Sequence, residues 1–276
     1  MSRNLANSIA PFIYPLFPKK SGILHYVIDI KKFFQYSFAK GYCGKIYMQI
    51  TIWKQGRITG DEVVQVEVKN GVPAQDRIVG ECVGFEEGMG YVEMHISTDS
   101  PVFDRPLFEN NLAALVRDEY GAVMITDTPK FADTRIIEQI KEVGSYCMAH
   151  TGISIDQEKG YGDFFLMINP YDQDLIVNLK SNHGLQKKVK VRSHDINIFN
   201  LQPLLGNDRW AAVSLTAKQR VLLYDLKAQS EDPYFPASLD HLDPFRGEQS
   251  LKPSSFMNWA KYKLKAATRK VGITRL

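Results

Sequence analysis

The sequence predicts a mainly β fold: antiparallel, sandwich-like sheets in one or two tandem domains, with few short helices and a basic amphipathic helix near the C-terminal end. Three observations carry this expectation. Apolar and polar residues alternate at period two, as in Ile46, Met48, Ile50 and Ile52 against Tyr47, Gln49, Thr51 and Trp53. Turn signals recur at short spacing, above all Asn70-Gly71, the strongest two-residue hairpin signal. Helical periodicity is scarce before the last quarter of the chain.

Residues 1–44 combine the Pro-rich aromatic stretch Pro11 to Pro18 with Ile23 to Ile30 and the cluster Phe33, Phe34, Tyr36 and Phe38. Exposing so many large apolar groups would create a patch that soluble monomers avoid, so this segment is expected to dock onto the body or a partner. The body spans 45–248. The runs at 45–53 and 63–69 come first, and those at 77–85 and 90–98 flank the acidic turn Glu86-Glu87-Gly88-Met89. Short, regularly spaced strands of this kind build sandwiches and barrels. Leu112 to Val116 and Ala122 to Thr126 flank Asp118-Glu119-Tyr120-Gly121 and read as a hairpin, while Asp133 followed by Ile136, Ile137, Ile140 and Val143 predicts an internal helix ended by Gly144. A split of the body near 99–106, where Pro101 and Pro106 interrupt the pattern, is the two-domain alternative.

Strand character resumes at 146–150 and 152–155. The run Phe164-Phe165-Leu166-Met167-Ile168 is too continuous for a strand with one wet face. Asn169-Pro170-Tyr171-Asp172 reads as a turn, and the runs at 175–179, 185–191, 196–205, 210–215 and 221–226 then read as a meander joined by polar turns. From Ser230 the chain becomes loop-like, broken by Pro233, Pro236, Pro244 and Pro253. Residues 249–276 form a linker and the final helix. Ser254 or Ser255 caps it, and Met257, Ala260, Leu264, Ala267 and Val271 make a narrow apolar stripe.

Composition narrows the functional classes. Of 276 residues, 44% are hydrophobic and 24% charged, the balance of a folded globular chain. A net charge of +3 is too mild for a nucleic-acid-binding face, and no nucleic acid is expected. The seven Lys and Arg between Lys252 and Arg275 face no Asp or Glu there, so the rest of the chain is mildly acidic. No stretch reaches the roughly 18 apolar residues that cross a bilayer, and the N-terminal apolar run is interrupted by prolines. Cys43, Cys82 and Cys147 are odd in number and lack zinc spacing, which predicts reduced thiols serving as small hydrophobes and a cytoplasmic location, with peripheral membrane association as its companion.

Chemistry-bearing motifs are few. His25, His95, His150, His183, His194 and His241 show no HxH, no HExxH and no i, i+4 pair, so no metal site is expected. Asp240, His241 and Asp243 bracket an imidazole with two carboxylates, a set that could orient it for proton transfer on a polar substrate such as a carbohydrate. The plain alternative is a loop whose aspartates cap backbone N–H groups. The acidic loop at 156–163 lacks the alternating ligands of a calcium loop, and no Gly-rich phosphate loop or nucleophile elbow occurs, so no cofactor is expected.

The terminal helix carries the functional expectation. Lys261, Lys265, Arg269 and Lys270 beside the apolar stripe, with Trp259, suit an anionic membrane surface or a groove on a protein partner. The leading expectation is therefore a non-catalytic binding or assembly protein, with a β recognition surface and terminal segments that dock. The rival is an enzyme acting through Asp240, His241 and Asp243.

Overall fold

The structure, a computed structural model, describes residues 12–30, 41–99, 112–117, 123–126, 146–154, 160–206, 210–218, 221–234 and 236–241. It is mainly β, and every strand pair is antiparallel.

The strands among the described residues form four sheets. The first runs β1 (Phe12–Leu16), β7 (Gly90–Thr98), β3 (Gly44–Lys54), β4 (Arg57–Lys69) and β5 (Val72–Pro73). The second runs β6 (Arg77–Val83), β2 (Ile23–Asp29), β8 (Leu112–Arg117) and β9 (Val123–Thr126). The third runs β10 (Tyr146–Ser154), β15 (Trp210–Ala217), β12 (Leu175–Ser181) and β13 (Gln186–Val191). The fourth runs β14 (Asp195–Asn200), β11 (Tyr161–Asn169), β16 (Leu222–Gln229) and β17 (Pro236–His241).

Local chemistry explains the tight turns. Asn70 and Gly71 take φ of 51° and 75° and join β4 to β5 with Lys69 facing Val72, while Gln55 and Gly56, at 49° and 77°, do the same between β3 and β4. Two successive positive φ values match the right-handed twist of the flanking strands. Pro15 is compatible with β1 because that strand lies at the end of its sheet, where one row of N–H groups makes no ladder bond.

Two adjacent runs part company. β6 pairs with β2 in the second sheet, whereas β7 lies between β1 and β3 in the first, so 84–89 is a crossover. Glycines permit this passage. A Cβ on Gly84 would lie 1.8 Å from the carbonyl oxygen of Phe17, and one on Gly90 would lie 2.2 Å from that of Trp53.

The expected meander at 163–226 is corrected in the same sense. Within it only β12 and β13 are consecutive partners; the chain otherwise switches between third and fourth sheets, with β11 bonded to β14 and β16 and β12 to β15. The physical reason lies in β11. Phe164, Leu166 and Ile168 join one buried cluster with the first two sheets, while Phe165 and Met167 join another with the third. Leu222, Tyr224 and Leu226 against Val221 and Leu223 split the same way. A strand buried on both faces needs neighbours on both sides, which the continuous apolar run foreshadowed.

Phe12–Leu16 is buried along its whole length. It is tied to the fourth sheet by the Tyr224 hydroxyl, which donates to the carbonyl of Ile13 at 2.8 Å. No helix among the described residues is long and apolar enough to cross a membrane, a statement that does not bear on strands. The predicted helices at 133–143 and 254–271 lie outside the described residues.

Candidate functional site

Two places concentrate chemistry. The first begins where β3 ends. Trp53 faces Tyr91 across the ladder, and their rings stack with centroids 6.2 Å apart and planes 14° apart. Onto the indole lies the ring of His194, 4.0 Å away and 9° from parallel.

His194 is placed there by a tightly bonded turn. Asn169, at the end of β11 and fully buried, donates through Nδ2 to the carbonyls of Gln173, Val191 and Arg192 and accepts the Tyr171 N–H through Oδ1. It thereby holds the 170–174 turn against the chain leaving β13. Asp174 accepts the Ser193 N–H at 2.9 Å and the Lys190 ammonium at 2.6 Å. Lys190 first, then the Ser193 N–H, keeps its carboxyl below the usual carboxylate range. His194 itself adopts φ of 47°, uncommon for a side chain with a Cβ, and its carbonyl accepts the Gly56 N–H at 3.1 Å. Gly56 passes close: a Cβ there would sit 3.2 Å from the Ser193 carbonyl.

The imidazole links an acid to a hydroxyl. Nε2 is 2.7 Å from Asp172 Oδ1 and Nδ1 is 3.1 Å from the Tyr91 hydroxyl. With Nε2–H donating to the carboxylate, Nδ1 accepts the tyrosine O–H, a tautomer assigned from these contacts. The order acid, imidazole, hydroxyl matches that of a hydrolytic triad, but the exposures are reversed. There the acid is buried and the hydroxyl meets substrate; here Asp172 stands in solvent and Tyr91 is 0% exposed. The arrangement is suited to clamping the first sheet to the turn before β14 rather than to attack on a substrate.

The second place is the outward face of the third sheet. In β12, Leu175, Val177 and Leu179 point in while Ile176, Asn178 and Lys180 point out. Asn178 pairs with Lys188 on one side and Thr216 on the other, and Lys180 with Gln186 and Ser214. These six residues, with Leu179 and Lys187, line a shallow hollow of about 350 Å³. On the outward face its lining holds two ammonium groups, of Lys180 and Lys188, two carboxamides and two hydroxyls, and no carboxylate among the described residues, while Lys187 shares the register and face of the inward Leu179.

The sequence-predicted site residues fall elsewhere. Asp240 and His241 close β17, paired in register with Asp225 and Tyr224, so they belong to a strand and not to a loop. Asp243, Trp259, Lys261, Lys265, Arg269 and Lys270 lie outside the described residues. Of the histidines, His25 contacts Glu81 at 3.6 Å, His95 is buried and His183 is exposed. Among the described residues no group of three His, Cys, Asp or Glu could hold a metal. Cys82 is buried as expected, whereas Cys43 is exposed and accepts the Asn70 N–H through Sγ. Sequence reasoning missed Trp53, Tyr91, Asp172 and His194 as a set. One local sign was present, an Asp in the Asn-Pro-Tyr-Asp turn, but no spacing rule joins it to Trp53.

No family model matches the chain, and no curated protein matches it. Among solved structures, the vicilin of Solanum lycopersicum (tomato) aligns with 81% of this chain and 74% of its own at 7% identity and a TM-score of 0.17, too slight a likeness to carry an argument.

Proposed function

We propose that this is a non-catalytic binding or assembly protein that recognises a negatively charged partner through the outward face of the third sheet, with its C-terminal segment docking onto the same partner or an anionic membrane surface. The supporting observation is the hollow that presents Lys180 and Lys188 together with neutral hydrogen-bonding groups on that face. The fourth sheet backs that face with a core containing Phe165, Val177, Leu179, Val213 and Leu215, so its side chains are presented from a rigid layer. The predicted terminal helix adds charge of the same sign, which makes one acidic surface a fit for both.

Binding of the full chain to vesicles containing phosphatidylserine, at low and high salt, tests the reading. Exchange of Lys180 and Lys188 for Glu, and separately of Lys261, Lys265, Arg269 and Lys270 for Gln, is expected to weaken a salt-sensitive association. If a partner is captured equally well by both variants, the reading is wrong.

A further inference from the structure

We infer that the hollow on the third sheet is a binding subsite for a phosphorylated polyol, either a free sugar phosphate or the headgroup of a phosphoinositide. This rests on the recognition reading above and names its ligand chemistry.

The lining dictates the class. Lys180 and Lys188 supply only donors and positive charge, so the ligand must bring acceptors and negative charge. Asn178, Gln186 and Thr216 both donate and accept, and Ser214, whose hydroxyl donates to the Lys180 carbonyl at 3.2 Å, still accepts, which suits hydroxyl groups that do both. Register interleaves the two sets. Lys188 and Gln186 stand on β13 and Thr216 and Ser214 on β15, with Asn178 and Lys180 between them, so the two lysines lie diagonally and Lys180 stands beside Ser214. Three strands span about 10 Å, so one ring with its phosphate can meet both lysines and the hydroxyls together.

Two further features narrow the choice. No aromatic ring lines the hollow, so a neutral sugar has no platform on which to stack and the phosphate supplies the anchor. The volume of about 350 Å³ is near the lower end of small-molecule sites, which fits one ring with its phosphate and not a long chain.

Calorimetric titration of the full chain with inositol 1,4,5-trisphosphate, glucose 6-phosphate, inorganic phosphate and unphosphorylated inositol tests this directly. The phosphorylated polyols are expected to bind, inorganic phosphate to bind more weakly and inositol not at all. Lys180→Gln and Lys188→Gln should each weaken binding roughly tenfold, the usual scale for one charge-assisted hydrogen bond. Ser214→Ala should weaken the polyol phosphates and leave inorganic phosphate unchanged. Vesicles with and without a phosphoinositide then separate the sources: capture of such vesicles beyond equally charged phosphatidylserine ones assigns a lipid headgroup, and its absence with soluble binding retained assigns a free sugar phosphate. Failure of every phosphorylated polyol to bind, or binding that survives both lysine exchanges, overturns the subsite. Because association with an acidic partner in the preceding experiment would persist in that case, the two failures are distinguishable.

Discussion

The imidazole of His194 lies flat on the indole of Trp53, 4.0 Å between ring centroids, although 141 positions separate them in the chain. The contact joins the first sheet to the turn that enters the fourth. It is held by stacking, by a hydrogen bond donated from Nε2 to Asp172 and one accepted at Nδ1 from Tyr91, and by one backbone bond from Gly56.

Replacing His194 with Ala removes the stack and both ring bonds while keeping the unfavourable backbone angle. We expect a loss of about 2 kcal/mol in unfolding free energy. Gly at the same position relaxes the positive φ and should recover up to about 1 kcal/mol of that loss. Denaturant titrations of the two variants measure the difference. Equal midpoints would show that the turn is not strained.

Asn169 gathers three carbonyls and one N–H at a site without solvent. Asn169→Ala should cost about 2 to 3 kcal/mol by leaving buried groups unpaired. Asn169→Asp should cost more at neutral pH, since its carboxylate would face carbonyl oxygens, and should regain stability as the pH falls and the acid protonates. Thermal melts from pH 4 to pH 8 check the sign.

The bond from Tyr224 to the Ile13 carbonyl predicts a loss of about 1 kcal/mol for Tyr224→Phe, with no change in overall fold. Since the ring stays buried in either variant, a much larger loss, read by chemical denaturation, would mean that the hydroxyl organises more than this one contact.

Burial, then the charges of Glu62 and Glu81, pushes the Cys82 thiol up to about 12, while burial, then Cys82 and Glu62, does the same to the Tyr26 hydroxyl. The unfolded chain loses these protons near their ordinary values of 9.0 and 10.0, so it binds fewer protons than the folded chain above that range. Stability should therefore fall as pH rises from about 9 to about 12, and a Cys82→Ala, Tyr26→Phe double variant should show a shallower fall. Alkylation at neutral pH, read by peptide mass mapping, should label the exposed Cys43 and spare Cys82 until the protein unfolds.

Much of the fold was legible in the chain because its signals are local. The alternation from Ile46 to Ile52 and the turn at Asn70-Gly71 depend on residues a few positions apart, and β3, β4 and β5 follow from them. The unbroken run Phe164 to Ile168 announced a strand with two dry faces. Partner choice was not legible: the short spacing between 77–85 and 90–98 resembles a hairpin, and only the close backbone passages at Gly84 and Gly90 reveal that the chain changes sheets. The His194 node was hidden for a related reason. Histidine is not the residue a positive φ usually selects, and its ring partners, Trp53 and Tyr91, meet it only after three strands have paired. The outward lysines of β12 and β13 were visible as an alternation, but their convergence with Ser214 and Thr216 needed β15 inserted beside β12.

The burial of β11 on both faces from Gly162 to Asn169 has a consequence for how the molecule breathes. Each amide of β11 that bonds to β14 or β16 is shielded above and below as well as at its sides, so no partial opening of one core releases it to water. Its hydrogens should exchange with deuterium only when the whole assembly opens, at a rate set by global stability. Those of β5, a two-residue strand at the end of its sheet, should exchange through local fraying many times sooner.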